Sequence, residues 1–98
     1  MSYQTLTLET DNHVATITLN RPEMMNAFSE QLIWEMGEAT KAVKDDAQIR
    51  VLVITGQGRG FTAGADLGER DASWTDTKDA LERGYYPFIK TIIDMPKP

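Results

Sequence analysis

Three glycines at alternate positions, followed by small residues and an acid, form the stretch of this sequence best suited to chemistry. The glycines are residues 56, 58 and 60, and Phe61-Thr62-Ala63-Gly64-Ala65-Asp66-Leu67 follows them. Small side chains let a ligand approach the backbone closely, and N–H groups at a helix start can hydrogen-bond an anion or a developing oxyanion. We therefore predict a loop that enters a helix, with Asp66 near its first turn and backbone amides facing a cleft.

A nucleotide-binding loop is one alternative for the glycines, but they match neither common template. No Gly-Lys-Ser or Gly-Lys-Thr follows them, and their spacing is not G-x-G-x-x-G. A turn with left-handed glycines explains the pattern better. The cations Arg21, Arg59 and Lys97 are possible phosphate ligands, although each alone is typical of a solvated surface charge.

Metal and nucleophile chemistry have little support in the residue types. The chain has no cysteine and one histidine, His13, so a metal site would need carboxylates alone. His13 is far from any glycine-flanked serine, and a surface or strand-edge position explains it better. The acids Asp66, Glu69 and Asp71 are a candidate carboxylate cluster, yet acids near a helix start usually act as caps and dipole partners. We predict no metal site.

The composition restricts the class of protein. The chain has 98 residues, enough for one small domain, with 41% hydrophobic residues, 26% charged residues and a formal net charge of -5. Nucleic-acid binders normally present a basic face, so the acidic balance argues against such a partner. No apolar run could span a bilayer, and the N-terminus lacks the features of a signal peptide. We predict a cytoplasmic protein that binds neither nucleic acid nor membrane.

An α/β pattern of strands must position the small-residue run. Alternating apolar residues on either side of the turn pair Asp11-Asn12 predict a hairpin with strands over residues 3–9 and 14–19, and His13 would begin the second strand. Val51-Leu52-Val53-Ile54 predicts a strand buried on both faces, as in a parallel sheet. The glycines therefore leave the end of a buried strand.

Two helices complete the pattern. Ser29 is the predicted N-cap of an amphipathic helix over residues 30–44. Its apolar stripe is Leu32, Met36, Ala39 and Val43. Its predicted surface residues are Glu35, Glu38, Lys41 and Lys44, whereas Trp34 and Met36 are assigned to core and interface.

The last helix should span residues 77–94, with a kink or restart near Pro87 because Gly84 and Pro87 interrupt it. Its apolar face is predicted to be Leu81, Tyr85, Phe88, Ile92 and Met95. Before it, residues 73–79 predict a mobile surface loop in which Trp74 is an anchor or part of a lid.

Three motifs, in this order along the chain, resemble the enoyl-CoA hydratase/isomerase (crotonase) family. Asn20-Arg21-Pro22 with Met25-Asn26-Ala27-Phe28 resembles the family's N-terminal loop at the acyl-CoA pocket. The stretch from Val51 to Leu67 resembles the family's first signature, and Met95-Pro96-Lys97-Pro98 resembles the segment just before the second. Together the three motifs cover almost the whole chain.

The resemblance implies a fold class as well as a substrate. The fold would be a crotonase-like α/β spiral of ββα units, with residues 1–98 as the N-terminal portion of a single domain. The substrate would be an acyl-CoA thioester, with CoA part of that substrate and no separate cofactor. The assembly would be a homotrimer or a dimer of trimers. Leu81-Glu82-Arg83 followed by Tyr86-Pro87 resembles most the isomerases of phenylacetyl-CoA degradation.

Matching the motifs position by position implies roles for individual residues. Ala65 would supply the first of two backbone N–H groups that stabilise the thioester enolate, and Ala63 would offer its carbonyl to the adenine amine. The other implied substrate-binding residues are Met24, Met25 and Ala27 along the CoA groove, Gly64, and Asp66 and Leu67 beside the acyl pocket.

Three hypotheses follow. The first is an acyl-CoA hydratase or isomerase, a lyase or isomerase of fatty acid metabolism. Its second oxyanion amide and catalytic carboxylates would lie beyond Pro98, so the 98-residue chain alone is predicted to be inactive, with Val51–Ile54 as an edge strand. The second is a non-catalytic CoA-binding or interaction module. The third is a nucleotide-phosphate binder through the Gly56–Gly60 loop.

Overall fold

Three strands and one long helix form the centre of the fold in the computed structural model, which describes residues 3–65 and 77–98. The strands are β1 (Leu6–Asp11), β2 (Val14–Leu19) and β3 (Val51–Gly56). The helices are a 3-10 turn (Pro22–Met24), α1 (Glu30–Asp45), α2 (Thr77–Ala80), a π-helical segment (Leu81–Tyr85) and α3 (Tyr86–Asp94). The predicted element order is therefore confirmed.

The sheet has the order β1-β2-β3, with β1 antiparallel and β3 parallel to β2. This confirms the parallel pairing predicted for β3. The predicted burial of both faces of β3 is wrong, however, because the Val53 side chain is 41% exposed. In addition, β3 lies at an edge of the described sheet. On its outer side, the Leu52 N–H donates to the Pro98 carbonyl at 2.8 Å. Within the described sheet β3 is therefore an edge strand, as predicted, with Pro98 hydrogen-bonded along part of that edge.

The hairpin turn lies one residue later than predicted. Asn12 and His13 have φ values of 52° and 69°, the two left-handed residues that a two-residue type I′ turn needs. Asp11 belongs to β1 and pairs with Val14, and β1 begins at Leu6 rather than at Tyr3. His13 is therefore a turn residue, and its Nδ1 lies 2.7 Å from the Gln48 carbonyl oxygen.

The core lies between α1 and one face of the sheet. Ser29 caps α1 as predicted, since its hydroxyl accepts from the Leu32 N–H at 3.1 Å. All four residues of the predicted stripe are buried, and the largest fully buried apolar side chains are Leu6, Ile17, Leu19, Leu32, Met36 and Val43. Trp34 is 45% exposed, so it is not a core residue, and its assignment to an interface stays a prediction.

The interrupted last helix is also confirmed. A π-helical segment precedes α3, which restarts at Tyr86 with Pro87 in its first turn. Phe88 is buried, and its ring stacks on that of Phe28 with centroids 6.0 Å apart. The Tyr85 ring meets Phe28 edge-on at 5.9 Å. These contacts pack α3 and the preceding π-helical segment against Phe28, just before the start of α1. No helix in the described residues is long and apolar enough to cross a membrane.

Two charged residues assigned to the solvated surface instead hydrogen-bond segments distant in the sequence. Lys97 Nζ donates to the carbonyls of Val43 at 2.8 Å and Asp46 at 3.0 Å, so it caps the end of α1. Glu35 is only 7% exposed, and its Oε1 accepts from the N–H groups of Gln4 at 3.0 Å and Thr5 at 2.8 Å. Both predictions were wrong because the partners are distant in sequence.

Glu35 joins the start of the chain to α1 through its ionised form. Burial alone would raise the pKa of this carboxyl, but hydrogen bonds from Gln31, Thr5 and Gln4 outweigh it and hold the pKa below its ordinary value. Because the carboxyl ionises more easily in the folded state, its ionisation stabilises the fold at pH values above the unfolded-state pKa. This stabilisation is lost as the pH falls through the folded-state pKa.

Replacing Glu35 by glutamine is therefore expected to lower the free energy of unfolding by about 2 kcal/mol at neutral pH, because the charged acceptor is lost. The difference from wild type should shrink in acid, at pH values below the ordinary glutamate pKa. Urea unfolding at both pH values measures it, with the exposed Glu38→Gln as the matched control. A difference of the same size at both pH values would contradict the role of the charge.

Candidate functional site

Two loops lie side by side where the parallel strands β2 and β3 end. We call residues 20–28 the N-terminal loop and residues 56–65 the glycine loop. Leu19 and Gly56, the last residues of the two strands, are register partners. Ligands of parallel sheets commonly bind beyond the carboxyl ends of the strands. The two loops therefore occupy a favourable place for a binding site.

Asn26 holds the two loops together. Its side chain is 1% exposed, and its Oδ1 accepts from the Arg21 N–H at 2.7 Å. Its Nδ2 donates across to the glycine loop, to the carbonyls of Gln57 at 2.9 Å and Phe61 at 3.0 Å, with that of Gly60 at 3.3 Å. A buried amide whose two ends are both satisfied strongly specifies one arrangement of the surrounding backbone.

Gly56 is required at the end of β3 by the close packing of this junction. A Cβ atom at this position would lie 2.4 Å from the Phe61 carbonyl oxygen and 2.9 Å from Asn26 Nδ2. Side chains longer than hydrogen therefore do not fit without displacing backbone. This glycine is explained by close approach rather than by a nucleotide-binding pattern.

Thr62 forms the second link between the loops. Its hydroxyl donates to the Asn26 carbonyl at 2.6 Å and accepts from the Gly64 N–H at 3.1 Å. Gly64 has a φ of 94°, a left-handed conformation that glycine adopts without strain. The Gly64 N–H is thereby used inside the loop and is not available to a ligand.

The peptide unit between Gly64 and Ala65 has a fixed orientation. The Gly64 carbonyl accepts from the Phe28 N–H at 2.7 Å, and Ala63 N–H donates to the Met25 carbonyl at 2.9 Å. In a trans peptide the C=O and N–H groups point in opposite directions, so the Ala65 N–H points away from Phe28. No acceptor for this N–H is found among residues 3–65 and 77–98. Ala65 thus presents an amide whose peptide unit is held in one orientation through the Gly64 carbonyl.

The structure brings together most of the predicted site residues that it describes. Met24 and Met25 are 45% and 50% exposed, and Met25 is bonded to Ala63. Ala27 is buried, so its side chain faces the interior rather than an open groove. The predicted site residues Asp66 and Leu67 lie outside the described residues, as do Glu69, Asp71 and Trp74.

Asn26 and Thr62 were missed as site residues by sequence reasoning. The available signal was an asparagine within the apolar sequence Met24-Met25-Asn26-Ala27-Phe28, because a buried amide needs partners supplied by other segments. Arg21, considered as a phosphate ligand, donates from its guanidinium to the Ala27 carbonyl. Arg59 lies exposed on the glycine loop.

A separate depression of about 450 Å³ lies on the outer face of the hairpin, lined by Glu9, Asp11, Asn12, Val14 and Thr16. Its two carboxylates make it unsuitable for an anionic ligand. No group of three or more potential metal-binding side chains occurs within the described ranges. The loops at the strand ends therefore remain the candidate site.

Comparison with known proteins identifies the family. A sequence model of the family described as enoyl-CoA hydratase/isomerase matches residues 9–98. A 1,2-epoxyphenylacetyl-CoA isomerase of Escherichia coli K12 is 42% identical over 89 residues, covering 87% of this chain and 34% of the relative. A probable enoyl-CoA hydratase of Rhodobacter capsulatus is 37% identical over 98 residues, covering 100% of this chain and 37% of the relative.

The fold agrees with these relatives. A crystal structure of an enoyl-CoA hydratase from Mycobacterium marinum superposes with a TM-score of 0.80 at 41% identity, covering 97% of this chain and 46% of that one. The chain spans about a third of the length of the curated relatives it matches. Its α/β arrangement is the N-terminal part of the crotonase fold, as predicted. By its sequence and its fold, this chain belongs to the enoyl-CoA hydratase/isomerase family.

Proposed function

We propose that this chain is the acyl-CoA-binding part of an enoyl-CoA hydratase or isomerase, in which the Ala65 N–H stabilises the enolate of the thioester. The observation that carries the proposal is the fixed peptide unit, whose carbonyl is bonded to the Phe28 N–H at 2.7 Å. An oxyanion donor is effective when it is oriented before the charge develops, because no reorganisation is then needed during the reaction.

The neighbouring residues fit the binding of a long, flexible thioester. Small side chains at Ala63, Gly64 and Ala65 let a carbonyl group come close to the backbone. Met24 and Met25 offer exposed, adaptable apolar side chains on the neighbouring N-terminal loop. Within this proposal the Ala63 carbonyl receives the adenine amine, and the buried Ala27 supports the groove from below.

The chemistry needs more than this chain supplies. One amide is half of an oxyanion hole, and the proposal assigns the second amide and the acid and base carboxylates to the rest of a longer enzyme. The 98-residue chain by itself is therefore proposed to be inactive. A homotrimer or dimer of trimers in the cytoplasm belongs to the same proposal.

Incubation of the full-length enzyme with crotonyl-CoA tests the function. Hydration adds water across the conjugated double bond, so the absorbance of the conjugated thioester should fall. An isomerase should instead raise this absorbance when it converts a β,γ-enoyl-CoA to the conjugated form. The isolated 98-residue chain, assayed in parallel, should be inactive. Binding of CoA without turnover of any of several acyl-CoAs would contradict the proposal and favour a non-catalytic CoA-binding module.

A further inference from the structure

Two polar side chains hydrogen-bond the loop that carries the Ala65 amide. Asn26 is fully buried and Thr62 is half-buried, and both belong to the junction of the two loops. We propose that Asn26 and Thr62 are positioning residues of the acyl thioester site, and that together they set the direction of the Ala65 N–H. This inference rests on the proposed function of that amide.

Asn26 closes the turn of the glycine loop. The carbonyl oxygens of Gln57, Gly60 and Phe61 converge on its Nδ2 within 3.3 Å. Converging carbonyl dipoles repel one another unless a donor lies between them. Since Nδ2 provides the two hydrogens at this point, the loop keeps its turn only while the donor is present.

Thr62 links Asn26 by hydrogen bonds to Gly64, whose carbonyl belongs to the same peptide unit as the Ala65 N–H. Its hydroxyl is bonded to the Asn26 carbonyl on one side and to the Gly64 N–H on the other, at 2.6 and 3.1 Å. The Gly64 carbonyl is in turn bonded to the Phe28 N–H. With both polar groups of Gly64 occupied, the following N–H, that of Ala65, has one available direction.

Removal of the Thr62 hydroxyl should therefore change the orientation of the Ala65 N–H without disrupting the CoA groove. Free CoA has no thioester carbonyl, so its affinity reports on the groove alone. Acetoacetyl-CoA has that carbonyl, so the ratio of the two affinities reports on the direction of the amide. The ratio separates positioning from a general loss of structure, which would weaken both ligands equally.

The experiment is calorimetric titration of the full-length enzyme with both ligands. The variant Thr62→Val, which keeps the shape but not the hydroxyl, should reduce the preference for acetoacetyl-CoA over CoA by about tenfold, as expected for one lost hydrogen bond. Its affinity for CoA should change by less than about threefold. The variant Thr62→Ser should recover most of the preference, because serine retains the hydroxyl.

Two further variants complete the test. Thr40 is buried in α1 and its hydroxyl donates to the Met36 carbonyl at 2.7 Å, so Thr40→Val removes a matched hydroxyl elsewhere and should leave the ratio unchanged. Asn26→Asp keeps the shape but replaces the donor by a carboxylate, and should reduce the preference at least as much as Thr62→Val.

An unchanged ratio in folded Thr62→Val and Asn26→Asp enzymes, or an equal loss of affinity for both ligands, would overturn the inference while leaving the proposed function in place. A wild-type enzyme with neither turnover nor preference for the thioester would instead overturn the proposed function, and the inference with it.

Discussion

An ester in place of the amide at Ala65 is expected to slow turnover of crotonyl-CoA by the full-length enzyme about 100- to 1,000-fold, the usual effect of removing one oxyanion donor. The substitution inserts lactate, the α-hydroxy analogue of alanine, so an oxygen replaces the N–H and the methyl side chain is retained. The effect is large because the donor acts in the transition state, where the negative charge on the thioester oxygen is greatest.

The control for this experiment is an ester at Phe28. An ester at residue 65 also weakens the Gly64 carbonyl as an acceptor, and the bond that would suffer is the one from the Phe28 N–H at 2.7 Å. An ester at Phe28 removes this bond but leaves the Ala65 N–H in place. We expect it to slow turnover by about tenfold or less. Equal rates for wild type and the ester at Ala65, with both folded by circular dichroism, would contradict the assigned donor.

Replacing Gly56 by alanine is expected to lower the free energy of unfolding by about 3 kcal/mol, at the upper end of the usual cost of overpacking. The added Cβ would lie 2.4 Å from the Phe61 carbonyl oxygen and 2.9 Å from Asn26 Nδ2. The nearest atom is backbone rather than the flexible end of a side chain. The glycine loop must therefore move, and the hydrogen bonds of Asn26 must lengthen.

Gly37→Ala is the matched control, because nothing lies within 4 Å of a Cβ added at this position in α1. Alanine within a helix is more favourable than glycine, so this variant should gain about 0.5–1 kcal/mol. Urea unfolding of the two variants and wild type measures the difference. A Gly56→Ala protein as stable as wild type would show that the loop junction is not closely packed.

Local patterns predicted the elements that carry most of the fold. The cap at Ser29 and the stripe from Leu32 to Val43 located α1, because capping and helical periodicity act within a few residues. The apolar run at Val51 predicted a strand in a parallel sheet, and β3 pairs in parallel with β2. Its exposed outer face was not predicted, since burial depends on which other segments cover a strand.

The errors share one physical cause. Glu35 looked like a surface residue of an amphipathic helix, but its carboxylate accepts from backbone 31 residues earlier in the chain. Lys97 bonds to the end of α1 across 54 residues. No local periodicity contains such partners. From the sequence alone, a polar side chain in either position is therefore predicted to be solvated, because its donors or acceptors are known only from the folded structure.

The candidate site was predictable in position but not in geometry. Small residues from Ala63 to Ala65 follow an apolar run typical of a buried strand. From the sequence alone, this pattern predicted a loop whose backbone N–H groups face a ligand. The direction of the Ala65 amide depends on the Phe28–Gly64 hydrogen bond, which joins residues far apart in the chain. Asn26 was visible only as part of a motif, and the four hydrogen-bond partners of its side chain appear once both loops are placed together.

Infrared spectroscopy of a bound thioester tests the role of the Ala65 amide most directly. An acyl-CoA with carbon-13 in its thioester carbonyl gives a band that shifts to lower frequency when that oxygen accepts hydrogen bonds. We expect this shift on binding to the wild-type enzyme and a smaller shift in the enzyme with an ester at Ala65. The same band position in both enzymes would show that the amide does not contact the thioester oxygen.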